Sequence, residues 1–157
     1  MKEQNFLSKL KKEGKLELVE PSDEIKESYL DKSINSLKAS QILVKSDLLE
    51  ESISMAYYAM YHCLLGLMSK CGIKCESHTG NILLLNDLFK EQELHKIISN
   101  AKKERIDKQY YVDFEVIRKD AENLINEAQE FTIKIKLMLE SFTKNDVDAV
   151  RTKFKYT

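Results

Sequence analysis

A chain of 157 residues with a formal net charge of −1 has the size of one domain and can bury a working core without disulfides or metal. Its 43% hydrophobic and 32% charged residues fit a soluble globular protein, and the near-zero charge excludes a surface that is basic throughout, so a nucleic-acid contact must be a local patch. One proline, Pro21, and four glycines leave long stretches without a helix breaker, which predicts an all-α chain.

Residues 4–12 read as a short amphipathic helix with Phe6, Leu7 and Leu10 on one side, ended by Gly14 and followed by a connector to residue 20. Pro21-Ser-Asp-Glu24 is a helix start, with Ser22 at the N-cap and two carboxylates in the first turn. The helix that follows, to about residue 45, sets Ile25, Tyr29 or Leu30, Ile34, Leu37, Gln41 and Val44 along one face. Asp47 is the expected cap of the next helix, with Glu50 and Glu51 in its first turn.

That next helix, residues 48–71, is the element around which the rest is organised. Between Met55 and Met68 its only strongly polar side chain is His62, so it is apolar around most of its circumference and belongs in the middle of a bundle. It is too short and too flanked by charge for a membrane span, which needs roughly 18 consecutive apolar residues. Tyr57, Tyr58 and Tyr61 point in at least two directions. Gly66 suits close approach by another helix, and Gly72 supplies the left-handed residue that ends the element. His62 by itself reads as a core histidine with a hydrogen-bond partner.

A fourth helix covers residues 79–89, with His78 preceding or capping it, and a fifth covers 91–108 with Leu94, Ile97, Ile98 and Ala101 on one side and His95 on the surface. Residues 110–114 break the pattern and are expected to form a loop. The last long helix, 118–141, has the clearest periodicity: Ile117, Ala121, Leu124, Ala128, Phe131, Ile135, Met138 and Phe142 alternate steps of four and three, and Ile125, Thr132 and Leu139 widen the stripe. Residues 143–157 are a polar tail, either mobile or a short helix over 147–154. The expected architecture is an up-and-down bundle of about four main helices, residues 21–142, with a short N-terminal helix and connector at 1–20. The central helix is either wrapped wholly by its own chain or leaves a face for a second copy. No apolar signal core follows the first residues, so a cytoplasmic location is expected.

Cys63, Cys71 and Cys75 are read as ordinary thiols, since the close Cys-x-x-Cys knuckle of structural zinc sites is missing; neither metal nor cofactor is expected. The phosphate loop, the dinucleotide glycine motif and the His-Glu-x-x-His motif are all absent, which removes support for a kinase or nucleotidyltransferase. What remains is the segment 102–111, where Lys102, Lys103, Arg105 and Lys108 outnumber Glu104 and Asp107 beside Tyr110 and Tyr111. It reads either as a solvated helix end or as a phosphate site, in which an arginine forms paired hydrogen bonds to phosphate and tyrosines stack on bases.

The stretch Ala56-Tyr-Tyr-Ala-Met-Tyr-His62, then Gly72-Ile73, Ser77-His-Thr-Gly80 and Arg105 with Tyr110, resembles the HEPN family (higher eukaryotes and prokaryotes nucleotide-binding) over about residues 27–139. The resemblance implies a helical bundle, usually a homodimer, often paired as a toxin with a nucleotidyltransferase antitoxin. In active members an arginine and a histidine a few residues on cleave RNA without metal. Arg105 matches that arginine, whereas Tyr110 stands where the shortest spacer puts the histidine. A tyrosine with a pKa near about 10 is a poor proton acceptor at neutral pH, and proton transfer contributes roughly 100- to 10,000-fold, so cleavage without a substitute is slow. His62 and His78 are the candidate substitutes. The expected function is RNA or nucleotide binding through Lys102, Lys103, Arg105, Lys108 and Tyr111, with weak metal-independent ribonuclease activity; the alternative is a non-catalytic dimeric subunit that regulates a nucleotidyltransferase.

Overall fold

The computed structural model describes residues 2–110, 112 and 115–157, with the side chains of Gln109 and Tyr110 outside that set. The expected all-α bundle is what forms: α1 (Lys2–Lys12), α2 (Asp23–Lys45), α3 (Leu49–Cys71), α4 (His78–Phe89), α5 (Gln92–Tyr110), α6 (Arg118–Ser141) and α7 (Lys144–Phe154). The four longest, α2, α3, α5 and α6, are the main bundle. No described helix is long and apolar enough to cross a membrane.

α3 is the hub. It lies along α2 over its whole length, and α5 and α6 cover other parts of it. Tyr57, Met60, Leu64 and Leu67 are fully buried, which follows from an apolar sequence on nearly every face. The α2–α3 pair is close because small residues meet. Ser33 Oγ donates to Ala59 O at 2.6 Å and Ser52 Oγ to Ser40 O at 2.9 Å, so these buried hydroxyls are satisfied by the facing backbone. A Cβ on Gly66 would stand 3.2 Å from Leu30 Cδ2 and 3.4 Å from Lys26 O, so the absent side chain sets this spacing.

This contact corrects the expected inner face of α2. Ser33, Ser40 and Val44 are buried with Leu30 and Leu37 packed beside them, while Ile25 and Ile34 are about half exposed. Steric fit to α3 outweighed hydrophobicity. A second correction concerns Asp47. Leu48 takes the N-cap position of α3 without a side-chain bond, and Asp47, at φ 60°, uses its carboxylate to accept from Arg118 Nη2 at 3.0 Å. On α6 the predicted stripe is buried from Ala121 to Leu139 except at half-buried Met138, and Ile117 is exposed.

Residues 15–20, expected only to connect, contain β1 (Leu16–Leu18), which pairs antiparallel with β2 (Ile73–Cys75) in the register Leu16 to Cys75 and Leu18 to Ile73. The pairing brings α1 to the core, where Leu7, Leu10 and Leu16 are buried. Of the two readings of residues 143–157 the helix is the one that forms. Thr143 and Asp146 make a capping box, and Val147, Val150 and Phe154 enter the core.

α4 starts at a strong cap. Ser77 Oγ accepts from Gly80 N at 3.1 Å, and Ser77→Ala is expected to cost about 1 kcal/mol, read as a thermal midpoint about 2–4 °C lower.

Candidate functional site

The aromatic run of α3, the first turn of α4 and the middle of α5 converge. Lys102 and Arg105, three residues apart, share a face of α5. The Arg105 guanidinium carbon lies 5.0 Å from the Tyr58 ring centroid and 5.6 Å from that of Tyr57, within cation–π range of both. Its Nε is buried without a hydrogen-bond partner, and among the described residues no carboxylate neutralises it. An unbonded donor at that depth is costly and lies out of reach of an external oxygen, whereas the terminal guanidinium nitrogens are neither buried nor bonded among the described residues and can meet an anionic oxygen.

His78 is the first residue of α4 and is fixed on two sides. Its Nδ1 is 2.9 Å from Tyr57 Oη, and its ring stacks on Tyr61 at 3.9 Å and 14°. Tyr61 is held in turn: its hydroxyl accepts from Asn81 Nδ2 at 3.1 Å, and Asn81, fully buried, also donates to the carbonyls of Cys75 and Ser77. Burial pushes the Tyr61 phenol up to about 12 and that of Tyr57 well above its ordinary value, so both remain protonated hydroxyls. Lys102 Nζ donates to Thr79 Oγ1 at 2.6 Å, in the first turn of α4. The positive end of the α4 dipole, Lys102 and Arg105 therefore gather in one place, an arrangement suited to a phosphate.

His62 is half-buried rather than in the core. It sits between Tyr58, at 5.9 Å and 23°, and Tyr29, at 6.3 Å and 22°, with Ser36 Oγ 3.4 Å from its Nδ1. Tyr58 thus touches both His62 and Arg105. A hollow of about 500 Å³, walled by Ile25, Leu65, Met68 and Ile73, is mostly apolar and meets this row only at Tyr29.

Lys103 and Lys108 are not brought to the cluster. Lys103 is exposed beside Glu104 and Asp107 on another face, and Lys108 Nζ donates to Glu115 O at 3.1 Å and pairs with Asp120 at 3.5 Å. Tyr110 is the last residue of α5, two residues beyond the expected end; its side chain and Tyr111 lie outside the described residues. His95, expected on the surface, is half-buried beside Ser99 and Lys102. Burial pushes all three thiols up, Cys63 and Cys71 to about 12, so they pack as neutral groups. Sequence reasoning missed Tyr57, Tyr58, Thr79 and Asn81 as parts of the site. The tyrosine run was a visible signal, but nothing in the sequence paired it with α5.

Both histidines titrate below their ordinary value: His78 through burial, then Arg105 and Lys102; His62 through burial, then Lys32 and His78. The unfolded chain takes up these protons near about pH 6.5 and the folded chain resists them, so folded-state stability is full above that pH and falls as pH drops. The urea midpoint is expected to decline from about pH 7.5 to about pH 5.5, less steeply in a variant lacking both histidines.

Comparison with known proteins adds a family. A HEPN domain matches residues 26–138. The chain is 28% identical over 120 residues to "Putative toxin MJ0142" of Methanocaldococcus jannaschii, covering 73% of this chain and 82% of that protein. It is 27% identical over 110 residues to "Putative toxin MJ0605" of the same organism, covering 67% and 81%. It is also 28% identical over 85 residues to "UPF0332 protein glr0978" of Gloeobacter violaceus, covering 51% and 68%.

Proposed function

The chain belongs to the HEPN domain family, and from that premise we propose that it is a toxin-like protein that binds single-stranded RNA by a backbone phosphate held at Arg105. The observation that carries this reading is the Arg105 guanidinium, lying over Tyr57 and Tyr58 with its terminal nitrogens open and no carboxylate beside it among the described residues. Structural arginines in such positions usually neutralise a carboxylate or cap a carbonyl; the terminal nitrogens of this one are left for an external anion. Lys102 at the α4 N-terminus adds a second phosphate contact, and the half-buried rings of Tyr58, His62 and Tyr29 offer stacking surface for bases. A second copy of the chain and a nucleotidyltransferase are the protein partners that this reading adopts from the family. Cleavage without metal is slow in this reading, because the sequence has a tyrosine where active relatives place the proton-transferring histidine.

The test is fluorescence anisotropy of a labelled RNA oligonucleotide across a salt series, with cleavage followed in EDTA on the same samples. Binding through phosphates makes log affinity fall linearly with log salt, by about 0.7 per phosphate neutralised on a single strand. Arg105→Ala is expected to make that slope shallower by about 0.7. Binding that ignores salt, with equal affinity in the variant, would overturn the reading.

A further inference from the structure

The Tyr57–His78 contact decides which proton His78 carries. Tyr57 is fully buried, and among the described residues its hydroxyl has one hydrogen-bond partner, His78 Nδ1 at 2.9 Å. A buried phenol needs an acceptor for its hydrogen. If Nδ1 carried hydrogen, two donors would face each other or the phenol hydrogen would be stranded. Ionised Tyr57 is no escape, since burial disfavours it. Nδ1 is therefore the acceptor, and in the neutral ring the hydrogen sits on Nε2. Loading a second proton is opposed first by burial of the ring and then by the cations on α5, Arg105 and Lys102. The Tyr61 ring, anchored by Asn81, stacks against one face of the imidazole and holds the geometry.

We propose that His78 meets a bound phosphate oxygen as a neutral Nε2–H donor, with Tyr57 as the positioning residue that fixes this tautomer. It rests on the RNA-phosphate reading and deepens it. In metal-free RNA cleavage the 2′-hydroxyl oxygen attacks phosphorus, the bond from phosphorus to the 5′-oxygen breaks, a base takes the 2′ proton and an acid returns one to the departing oxygen. With hydrogen on Nε2 and Nδ1 engaged by Tyr57, His78 has no lone pair to offer the 2′-hydroxyl. It holds the phosphodiester alongside Arg105 and does not replace the absent motif histidine as the base.

The experiment combines ring-nitrogen NMR with affinity for a 2′-O-methyl RNA hexamer, which cannot be cut. At neutral pH, His78 is expected to show a protonated Nε2 and a bare Nδ1, with Nε2 shifting on RNA addition; Tyr57→Phe is expected to release the tautomer preference while the fold is kept. A glutamine amide nitrogen falls near ring Nε2 and an asparagine nitrogen near Nδ1. His78→Gln is thus expected to keep affinity within about threefold, and His78→Asn to lose about tenfold or more. Hydrogen on Nδ1, a charged ring, or equal losses in the Gln and Asn variants would overturn the proposal and leave the phosphate reading standing. Equal RNA affinity of the wild type and Arg105→Ala would overturn both.

Discussion

Arg105→Ala is expected to lower affinity for single-stranded RNA by about 10- to 100-fold, the size of a lost charge-assisted hydrogen-bond pair of roughly 1.5–3 kcal/mol. The same change should hardly disturb folding. Removing an arginine normally breaks an ion pair or strands its partner, but this guanidinium has a buried, unbonded Nε and no carboxylate beside it among the described residues. Removing its cation–π attraction to Tyr57 and Tyr58 is offset by relief of that unpaired donor, so stability is expected to stay within about 1 kcal/mol. Arg105→Lys should recover little, because an ammonium retains charge but not the planar fork that pairs with phosphate. Anisotropy and urea unfolding on the same preparations separate the two effects. A variant that folds less well and binds RNA equally would make Arg105 a structural residue.

The largest stability effect is expected at Gly72. It ends α3 at φ 65° and ψ 46°, a left-handed conformation that costs an ordinary residue roughly 1–2 kcal/mol. Space is the larger obstacle. A Cβ there would overlap the Val19 carbonyl oxygen and Arg151 Nη1 and stand 2.7 Å from Pro21 N. Val19 N donates to Gly72 O at 2.8 Å, extending the β1–β2 pairing, and Arg151 Nη1 donates to the carbonyls of Val19, Cys71 and Gly72 at 2.8–3.0 Å. One methyl group would therefore push apart the end of α3, the entry to α2 and the α7 arginine that ties them. Gly72→Ala is expected to cost about 4 kcal/mol or more, in the range reserved for strain combined with broken buried bonds. A urea midpoint near that of the wild type would show that the β1–α2 connection yields easily.

Both effects depend on residues whose importance the sequence announced only partly. The sequence alone determined the helical class, the central position of α3 and the burial of α6, because a nearly breaker-free chain with strict four-and-three spacing has one economical way to hide its apolar residues. Caps at Ser22 and Gly72 were legible for the same local reason: each depends on its own backbone geometry and a neighbour three or four residues away. Arg105 stood out by family resemblance and by charge. The inner face of α2 was not legible, since Ser33 and Ser40 are buried by fit against Ala59 and Ser52 and not by hydrophobicity. Nor was the β1–β2 pair, whose three-residue strands lie 55 or more positions apart in the chain.

The site shows the same division. Lys102, Lys103, Arg105 and Lys108 are equivalent as letters in a charge run, yet packing sends Arg105 to the tyrosines of α3 and Lys102 to Thr79 of α4, and leaves the other two elsewhere. The sequence offered His62 and His78 as equals. Only the tertiary structure separated them, by setting Tyr57 Oη against the Nδ1 of His78, because a proton's position depends on contacts between helices that no local pattern encodes.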